Sequence, residues 1–198
     1  MKFNEFYDFS IISQEIAQFE IIDLMPSAHE MVCFHRLLMA DYKGISFPVN
    51  FKKESGNKLK DVLGTGTATL FLISNQMKNI LIENQLSGWE VFPVRLFDKN
   101  GDQILGYDGF SITGRCGPID YRKSAIIHKR ILEGGPLWKY YKGLYVGLEE
   151  WDGSDFFLPQ DYFGTIITKK AAEILKKNKI SNIVLRNLAD IEVAEENV

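Results

Sequence analysis

Two segments of the chain carry the same order of hydrophobic and polar positions. Residues 61–91 align without a gap on residues 155–185, an offset of 94 positions. In each copy an apolar run ends at a hydroxyl residue, Ser74 or Thr168, and such residues are preferred helix N-caps. Apolar residues then recur at helical spacing, and an alternating run typical of a strand follows. The pattern predicts two related strand–helix–strand units; the alternative is two ordinary helical units in one α+β chain.

The two predicted helices each present one apolar face. Their apolar residues recur three and four positions apart, which places them on the side that packs against a core. We therefore expect four side chains to be buried, namely Ile80, Leu81, Ile174 and Leu175.

A β-hairpin is predicted between the two units. Residues 91–97 alternate, residues 98–102 contain Asn100-Gly101, and residues 103–113 return as a second strand. Asn-Gly between alternating runs is the strongest short hairpin signal.

The remaining segments give weaker patterns. Residues 114–121 contain two glycines and a proline and are predicted as a loop. Asp120 or Ser124 is expected to start a short helix that ends at Ile131. Upstream, Ser27 and Glu30 have the spacing of a capping box ahead of residues 31–40. That last segment also suits a strand, and both alternatives stay open.

These elements predict an α+β fold with two related strand–helix–strand units flanking a central β-hairpin. A length of 198 residues fits one large domain or two small ones. We expect an N-terminal α+β region over residues 1–110 with the first unit, and a C-terminal α+β region over residues 111–198 with the second. One compact domain is the alternative.

Charge and cysteine usage limit the class of partner. The chain holds 23 Lys and Arg against 26 Asp and Glu, a net charge of −3, which disfavours a broadly basic nucleic-acid surface. Residues 143–168 hold five acids and no Lys or Arg, whereas basic residues gather at 122–130 and 169–179. The two cysteines form no CxxC pair and the longest apolar stretches are far shorter than the ~20 residues of a spanning helix. We expect a cytoplasmic protein with no nucleic-acid or membrane partner.

Motifs for catalysis or metal binding are incomplete. His29 and Cys33 have the spacing of two ligands on one helix face, but a zinc site needs further ligands nearby. The glycines at 64 and 66 are followed by an apolar strand pattern rather than the helix of a phosphate-binding loop. We therefore expect a protein that is not an enzyme, with no catalytic residue, no metal ligand and no cofactor.

The segment Trp151–Phe157 is the main candidate for binding. It sets three aromatic residues beside two acids and a glycine, and tryptophan is enriched at binding hot spots. The candidate contact residues are Trp151, Asp152 and Ser154, together with Glu149 and Glu150. The alternative is a turn whose side chains bond the local backbone, with the two phenylalanines in the core.

Three further acidic or glycine positions are predicted to be structural. Asp155 recurs as Asp61 in the first copy, so both are expected to bond a turn, and Gly153 belongs to the same motif. In the segment 114–120, Arg115 is a further candidate for binding and Asp120 a structural residue. We expect these two to pair across a fixed loop.

Three stretches of the sequence together resemble uncharacterised bacterial proteins assigned to immunity families of polymorphic toxin systems. They are Ser111–Asp120, Tyr140–Tyr145 and Trp151–Phe157. The closing pattern of Ile166–Thr168, a helix and Ile180–Leu185 is similar to these proteins too. The double-CXXCG motif proteins look alike at the Trp-Asp-Gly and Asp-Phe-Phe end, but this chain lacks both CxxCG motifs, so no zinc ribbon is expected.

The resemblance implies an immunity protein that binds a cognate toxin and blocks it without catalysis. The acidic segments suit a basic toxin such as a nuclease, because complementary charge speeds encounter. Two other classes remain open: a small-molecule-binding protein or small enzyme that uses residues 151–155, and a homo-oligomeric scaffold module. The sequence does not determine the oligomeric state.

Overall fold

The computed structural model describes residues 5–12, 18–21, 29–67, 69–162 and 164–195, without the side chains of residues 20, 21 and 29–33. Within these ranges the α+β class is confirmed, with strands predominating over three α-helices. The helices are α1 (His29–Leu38), α2 (Asn75–Glu83) and α3 (Lys169–Lys177). The strands are β1 (Phe6–Ser10), β2 (Gln18–Ile21), β3 (Val49–Ser55), β4 (Val62–Gly64), β5 (Phe71–Ser74), β6 (Trp89–Phe92), β7 (Val94–Phe97), β8 (Gln103–Ile104), β9 (Tyr107–Ile112), β10 (Gly114–Ile119), β11 (Ala125–Arg130), β12 (Leu137–Lys142), β13 (Val146–Gly147), β14 (Phe156–Pro159), β15 (Thr165–Thr168), β16 (Val184–Asn187) and β17 (Glu192–Ala194).

The described strands form three sheets. The largest has the order β6-β9-β5-β4-β2-β3-β7-β8, the second the order β13-β10-β14-β15-β1-β16, and the third the order β11-β12-β17. The two large sheets contain the same five-strand pattern. In the first it reads β6, β9, β5, β4, β2, and in the second β16, β1, β15, β14, β10. Each pattern has one parallel pair, β2 with β4 and β10 with β14, and its other neighbours are antiparallel.

The two units also agree in register. Ser74 lies opposite Tyr107, as Thr168 lies opposite Phe6. Three residues earlier, Phe71 lies opposite Phe110, and Thr165 lies opposite Phe9. The internal repeat is therefore structural, and it extends beyond the aligned segments to include β1 and β9.

The six-stranded sheet takes one strand from the other end of the chain. β1 (Phe6–Ser10) lies between β15 and β16, whereas the equivalent strand β9 lies between β5 and β6 and follows the first unit along the chain. Residues 110 and 111, on either side of the expected boundary, both belong to β9. The two large sheets therefore do not divide at residue 110, because β9 spans that position and β1 joins the sheet of the second unit.

The equivalent helices begin and end with the same hydrogen bonds. Ser74 Oγ accepts from the Met77 N–H at 3.1 Å, and Thr168 Oγ1 accepts from the Ala171 N–H at 3.2 Å. Asn84 and Asn178 end the helices, and each donates its side-chain amide to a carbonyl four residues earlier at 2.9 Å. Because similar residue types satisfy the same unpaired backbone groups at the helix ends, the local sequence is sufficient to define where both helices begin and end.

The core confirms three of the four expected buried side chains. Ile80, Leu81 and Leu175 are buried in the larger hydrophobic cluster. Ile174 is only half-buried, because the buried face of α3 consists of Ala171, Ala172 and Leu175 and leaves Ile174 on its flank. A second cluster lies on the opposite face of the six-stranded sheet, since Phe156 and Phe157 belong to different clusters.

The predicted hairpin is confirmed as β7 and β8. Asp98 accepts hydrogen bonds from the backbone of Asn100 and Asp102 at 2.8 and 2.9 Å and so closes the turn. The hairpin is shorter than predicted, however. The alternating segment is divided at Pro93, and residues 91–92 belong to β6 in a different part of the sheet. The predicted return strand is divided as well, because residues 107–112 form β9, which pairs with β5 and β6 rather than with β7.

The predicted loop at residues 114–121 and the predicted helix that follows it are wrong. Residues 114–119 form β10 rather than a loop, because Gly114 and Gly117 let the strand approach its neighbours; a Cβ on Gly114 would overlap the Phe156 carbonyl oxygen. The expected helix up to Ile131 is one 3-10 turn, Tyr121–Lys123, followed by β11. Asp120 caps only that short turn, and the following residues pair with β12. The segment left open upstream is the helix α1.

Candidate functional site

The two repeated aspartates connect the halves of the chain reciprocally. The Asp61 carboxylate accepts from Ser74 Oγ at 2.8 Å and from the backbone N–H and Oγ of Ser181 at 2.8 and 2.5 Å. The Asp155 carboxylate accepts from Thr168 Oγ1 at 2.9 Å and from the backbone N–H and Oγ of Ser87 at 3.1 and 3.4 Å. Each aspartate thus bonds the N-cap of its own unit and a serine of the other unit.

The Asp152 side chain closes the loop between β13 and β14. Its carboxylate accepts from the backbone N–H and Oγ of Ser154 at 3.0 and 2.5 Å and from the Arg115 N–H at 2.9 Å. Partial burial opposes ionisation of Asp152, but these hydrogen bonds outweigh it and hold its pKa below the usual value. Gly153, between them, has a φ of +84°, and a Cβ there would meet nothing within 4 Å.

Trp151 packs inward from the same loop. Its ring lies edge-on to Phe6 at a centroid distance of 5.4 Å and is tilted against Phe157 at 5.6 Å. The side chain is half-buried against the second core cluster, and Ser154 is buried beside it. The structure therefore gives Trp151 and Ser154 contacts within the fold.

Arg115 does not pair with Asp120 as expected. Its guanidinium donates to the carbonyls of Ile112, Gly114 and Met39 at 2.7, 2.8 and 2.9 Å, and burial lowers its pKa. Asp120 instead pairs with Arg122 at 2.8 Å, and this partner holds its pKa at about 2. The Arg115 side chain extends from β10 to the Met39 carbonyl, just beyond the end of α1, so it connects β10 to that helix.

Glu149 and Glu150 remain exposed to solvent. They lie on a 3-10 turn, Leu148–Glu150, and border an open groove of about 660 Å³ whose other wall includes Asp161. Glu150 accepts from Gln160 Nε2 at 2.8 Å. Of the residues that the sequence proposed for binding, Glu149, Glu150 and Asp152 are exposed, and the Asp152 carboxylate is already engaged within its loop.

The largest group of exposed apolar side chains in the described residues was not identified from the sequence. We call residues 121–142, which contain β11, β12 and the turn between them, the arm. Five of the ten large apolar side chains that are exposed among the described residues lie here: Ile126, Ile131, Leu132, Leu137 and Trp138. The β-branched and aromatic residues of this segment, such as Ile126, Ile127 and Trp138, were a strand signal, but Asp120 and Ser124 were interpreted as helix starts.

The arm is also strongly basic. It holds six Lys and Arg and one acid, Glu133, in a chain of net charge −3. Lys129 and Lys139 form ion pairs with Glu192 and Glu195, which lie on and just beyond β17. Arg122 and Lys123 pair with Asp120, and Lys142 lies 3.9 Å from Glu192. Among the described residues, Arg130 is therefore the one Lys or Arg of the arm that has no carboxylate partner.

The Cys116 thiol is not set up as a nucleophile. It is buried, and burial followed by the nearby carboxylates of Asp152, Asp161 and Glu150 raises its pKa to about 12. The thiolate, which is the reactive form, is therefore scarce at neutral pH. Within the described ranges, no group of three or more His, Cys, Asp or Glu side chains is arranged to hold a metal ion.

Comparisons with known proteins add no relative. No protein-family model matches the chain, and no curated protein matches it significantly. None of the helices in the described residues has the length and apolar character needed to cross a bilayer.

Proposed function

We propose that the protein is an immunity protein, which binds a cognate bacterial toxin and neutralises it by covering part of its surface. The observation that carries this proposal is the arm, where five large apolar side chains are exposed within thirteen residues. Clustered exposed apolar residues surrounded by polar ones are typical of protein-binding surfaces. Trp138, 42% exposed, has the size and chemistry of a binding hot spot.

The exposed acids form a second proposed contact. Glu149 and Glu150 border the groove that begins beside Arg122 and Lys123, so the acidic surface adjoins the arm. A basic toxin, such as a nuclease, would be attracted to these carboxylates from a distance. The proposed compartment is the cytoplasm, where free thiols such as that of Cys116 persist.

Protection of cells against the toxin tests this proposal. The toxin is the product of the gene adjacent to the one for this protein, expressed with and without the protein. In the test variant three arm residues are replaced: Ile126→Ser, Leu137→Ser and Trp138→Ser. In the matched control three equally exposed residues elsewhere are replaced: Leu59→Ser, Ile82→Ser and Leu105→Ser.

We expect the wild type and the control to protect cells, and the arm variant to fail at an unchanged melting temperature. Protection by both variants would move the contact away from the arm. A wild-type protein that neither protects cells nor binds the toxin would refute the proposed function itself.

The acidic contact has its own test. Glu149→Gln with Glu150→Gln should lower the association rate with a basic toxin more than it changes dissociation. The difference from wild type should shrink as salt rises, because charges more than ~8–10 Å apart are screened at physiological ionic strength. Equal association rates at low salt would contradict this contact.

A further inference from the structure

The outer edge of β11 is open. In the order β11-β12-β17, β11 pairs with β12 along all six residues and has no described strand on its other side. Edge strands are usually short, interrupted by proline or covered. β11 has no proline, and five of its six residues are exposed. Every second residue of this strand therefore presents backbone N–H and C=O groups to a further strand.

The side chains along this edge indicate the chemistry of that further strand. Ile126, His128 and Arg130 lie on one face of β11, and Ala125, Ile127 and Lys129 lie on the other. A strand added beside β11 would place its side chains next to these residues. The cations gather towards Arg130, whose guanidinium donates to the Gly135 carbonyl at 2.8 Å, and β11 itself contains no acid.

We propose that β11 binds an extended acidic segment of the toxin as an additional β-strand. This inference rests on the proposed function and names the part of the toxin that is recognised. Backbone hydrogen bonds supply the affinity, while carboxylates on the face of His128 and Arg130 supply the selectivity. The alternate, apolar residues of the same segment lie on the other face, beside Ile127.

Charge disfavours a second copy of this chain as the occupant. Two copies of β11 side by side would bring together strands that each carry Lys129 and Arg130 and no acid. A parallel pairing would place these cations opposite their own copies, which is destabilising, and an antiparallel pairing would offer them no carboxylate. An acidic strand supplies carboxylates at the outer edge of β11, where Arg130 has no ion pair among the described residues.

An NMR titration tests the inference on the full chain without the toxin. The probe is a capped eight-residue peptide in which Glu and Val alternate, and the control peptide has Lys in place of Glu. We expect the amide signals of residues 125–130 to shift with the Glu peptide and not with the Lys peptide. Arg130→Glu should weaken binding of the Glu peptide by about tenfold, equivalent to about 1.4 kcal/mol. Arg95→Glu, an exposed arginine of the β7–β8 hairpin, should leave it unchanged.

Four results would overturn the inference. These are no shift at millimolar Glu peptide, equal shifts with both peptides, tighter binding of an oligouridylate to the same residues, and a dimer in light scattering that Arg130→Glu dissociates. The last two would identify a nucleic acid or a second copy as the occupant. If the protein protects cells but the Glu peptide does not bind, only this inference fails. If the peptide binds β11 but the protein does not protect, only the proposed function fails.

Discussion

Replacing Asp61 with Asn tests whether the reciprocal aspartates hold the two halves together. The change keeps the size of the side chain, removes its charge and replaces one of the two accepting oxygens with an NH2 donor. A hydrogen bond to a charged group contributes about 1.5–3 kcal/mol net and a neutral one about 0.5–1.5 kcal/mol, so each bond weakens by about 1 kcal/mol. Asp61 accepts three such bonds. We therefore expect Asp61→Asn to lower the free energy of unfolding by about 3 kcal/mol.

Urea unfolding at pH 7 measures this loss as a lower midpoint at an unchanged slope. Asp102→Asn is the control, because Asp102 is an exposed acid in the β7–β8 turn and its replacement should cost less than ~0.5 kcal/mol. If Asp61→Asn costs as little as Asp102→Asn, the bonds across the halves do not stabilise the fold.

Double substitutions test whether Asp61 and Asp155 stabilise the fold independently of each other. Asp61 bonds Ser181, so Asp61→Asn and Ser181→Ala together should cost less than the sum of the single changes. Asp61 and Asp155 share no hydrogen-bond partner in the described chain, so Asp61→Asn with Asp155→Asn should be additive within ~0.5 kcal/mol. The opposite pattern of coupling would contradict the assigned bonds.

Three other predictions, which involve five substitutions, can be tested by the same unfolding measurement. Gly88 and Gly153 both have positive φ, but of these two only Gly88 has the Phe156 carbonyl oxygen where a Cβ would lie. Gly153→Ala should therefore lower the free energy of unfolding by ~1–2 kcal/mol, and Gly88→Ala by clearly more. Equal losses would contradict the close approach at Gly88. Leu175→Ala should cost ~2–5 kcal/mol and Ile174→Ala less than Leu175→Ala, because only Leu175 is fully buried; the reverse order would show that the face of α3 is misassigned. Asp152→Asn should reduce stability at pH 7, and the difference from wild type should vanish as pH falls. The sign follows because the folded-state pKa of Asp152 lies below 3.8, so its stabilisation is present above that pH and is lost as the carboxylate is protonated below it; a difference that persists at low pH would rule out this role.

The sequence predicts those parts of the fold that depend on neighbouring residues. Ser74 and Thr168 were identifiable as caps because a cap acts within three residues of its own position. The position of β1 was not identifiable, because Phe9 pairs with Thr165, 156 positions along the chain, and β1 falls outside the aligned segments. The partners of β1 are chosen by long-range packing, which a local pattern does not record.

A glycine or a capping residue is compatible with more than one local structure, and only its three-dimensional surroundings decide which one forms. Gly114 and Gly117 suggested a loop, yet they are there because neighbouring backbone lies too close for a side chain. Asp120 suggested a helix and caps a single 3-10 turn. At the binding loop, Trp151 was singled out for its size and charge neighbours, whereas the structure places its ring against Phe6 from the other end of the chain.

The position of β1 has a consequence for how the protein is made on the ribosome. β1 is synthesised before both of its neighbours, which follow more than 150 residues later, in residues 165–168 and 184–187. At about 5–20 residues per second, β1 waits on the order of ten seconds or more before either neighbour leaves the exit tunnel. During that time its edge is open to other nascent chains. The synthesis of residues 165–187 therefore decides whether β1 reaches its own sheet.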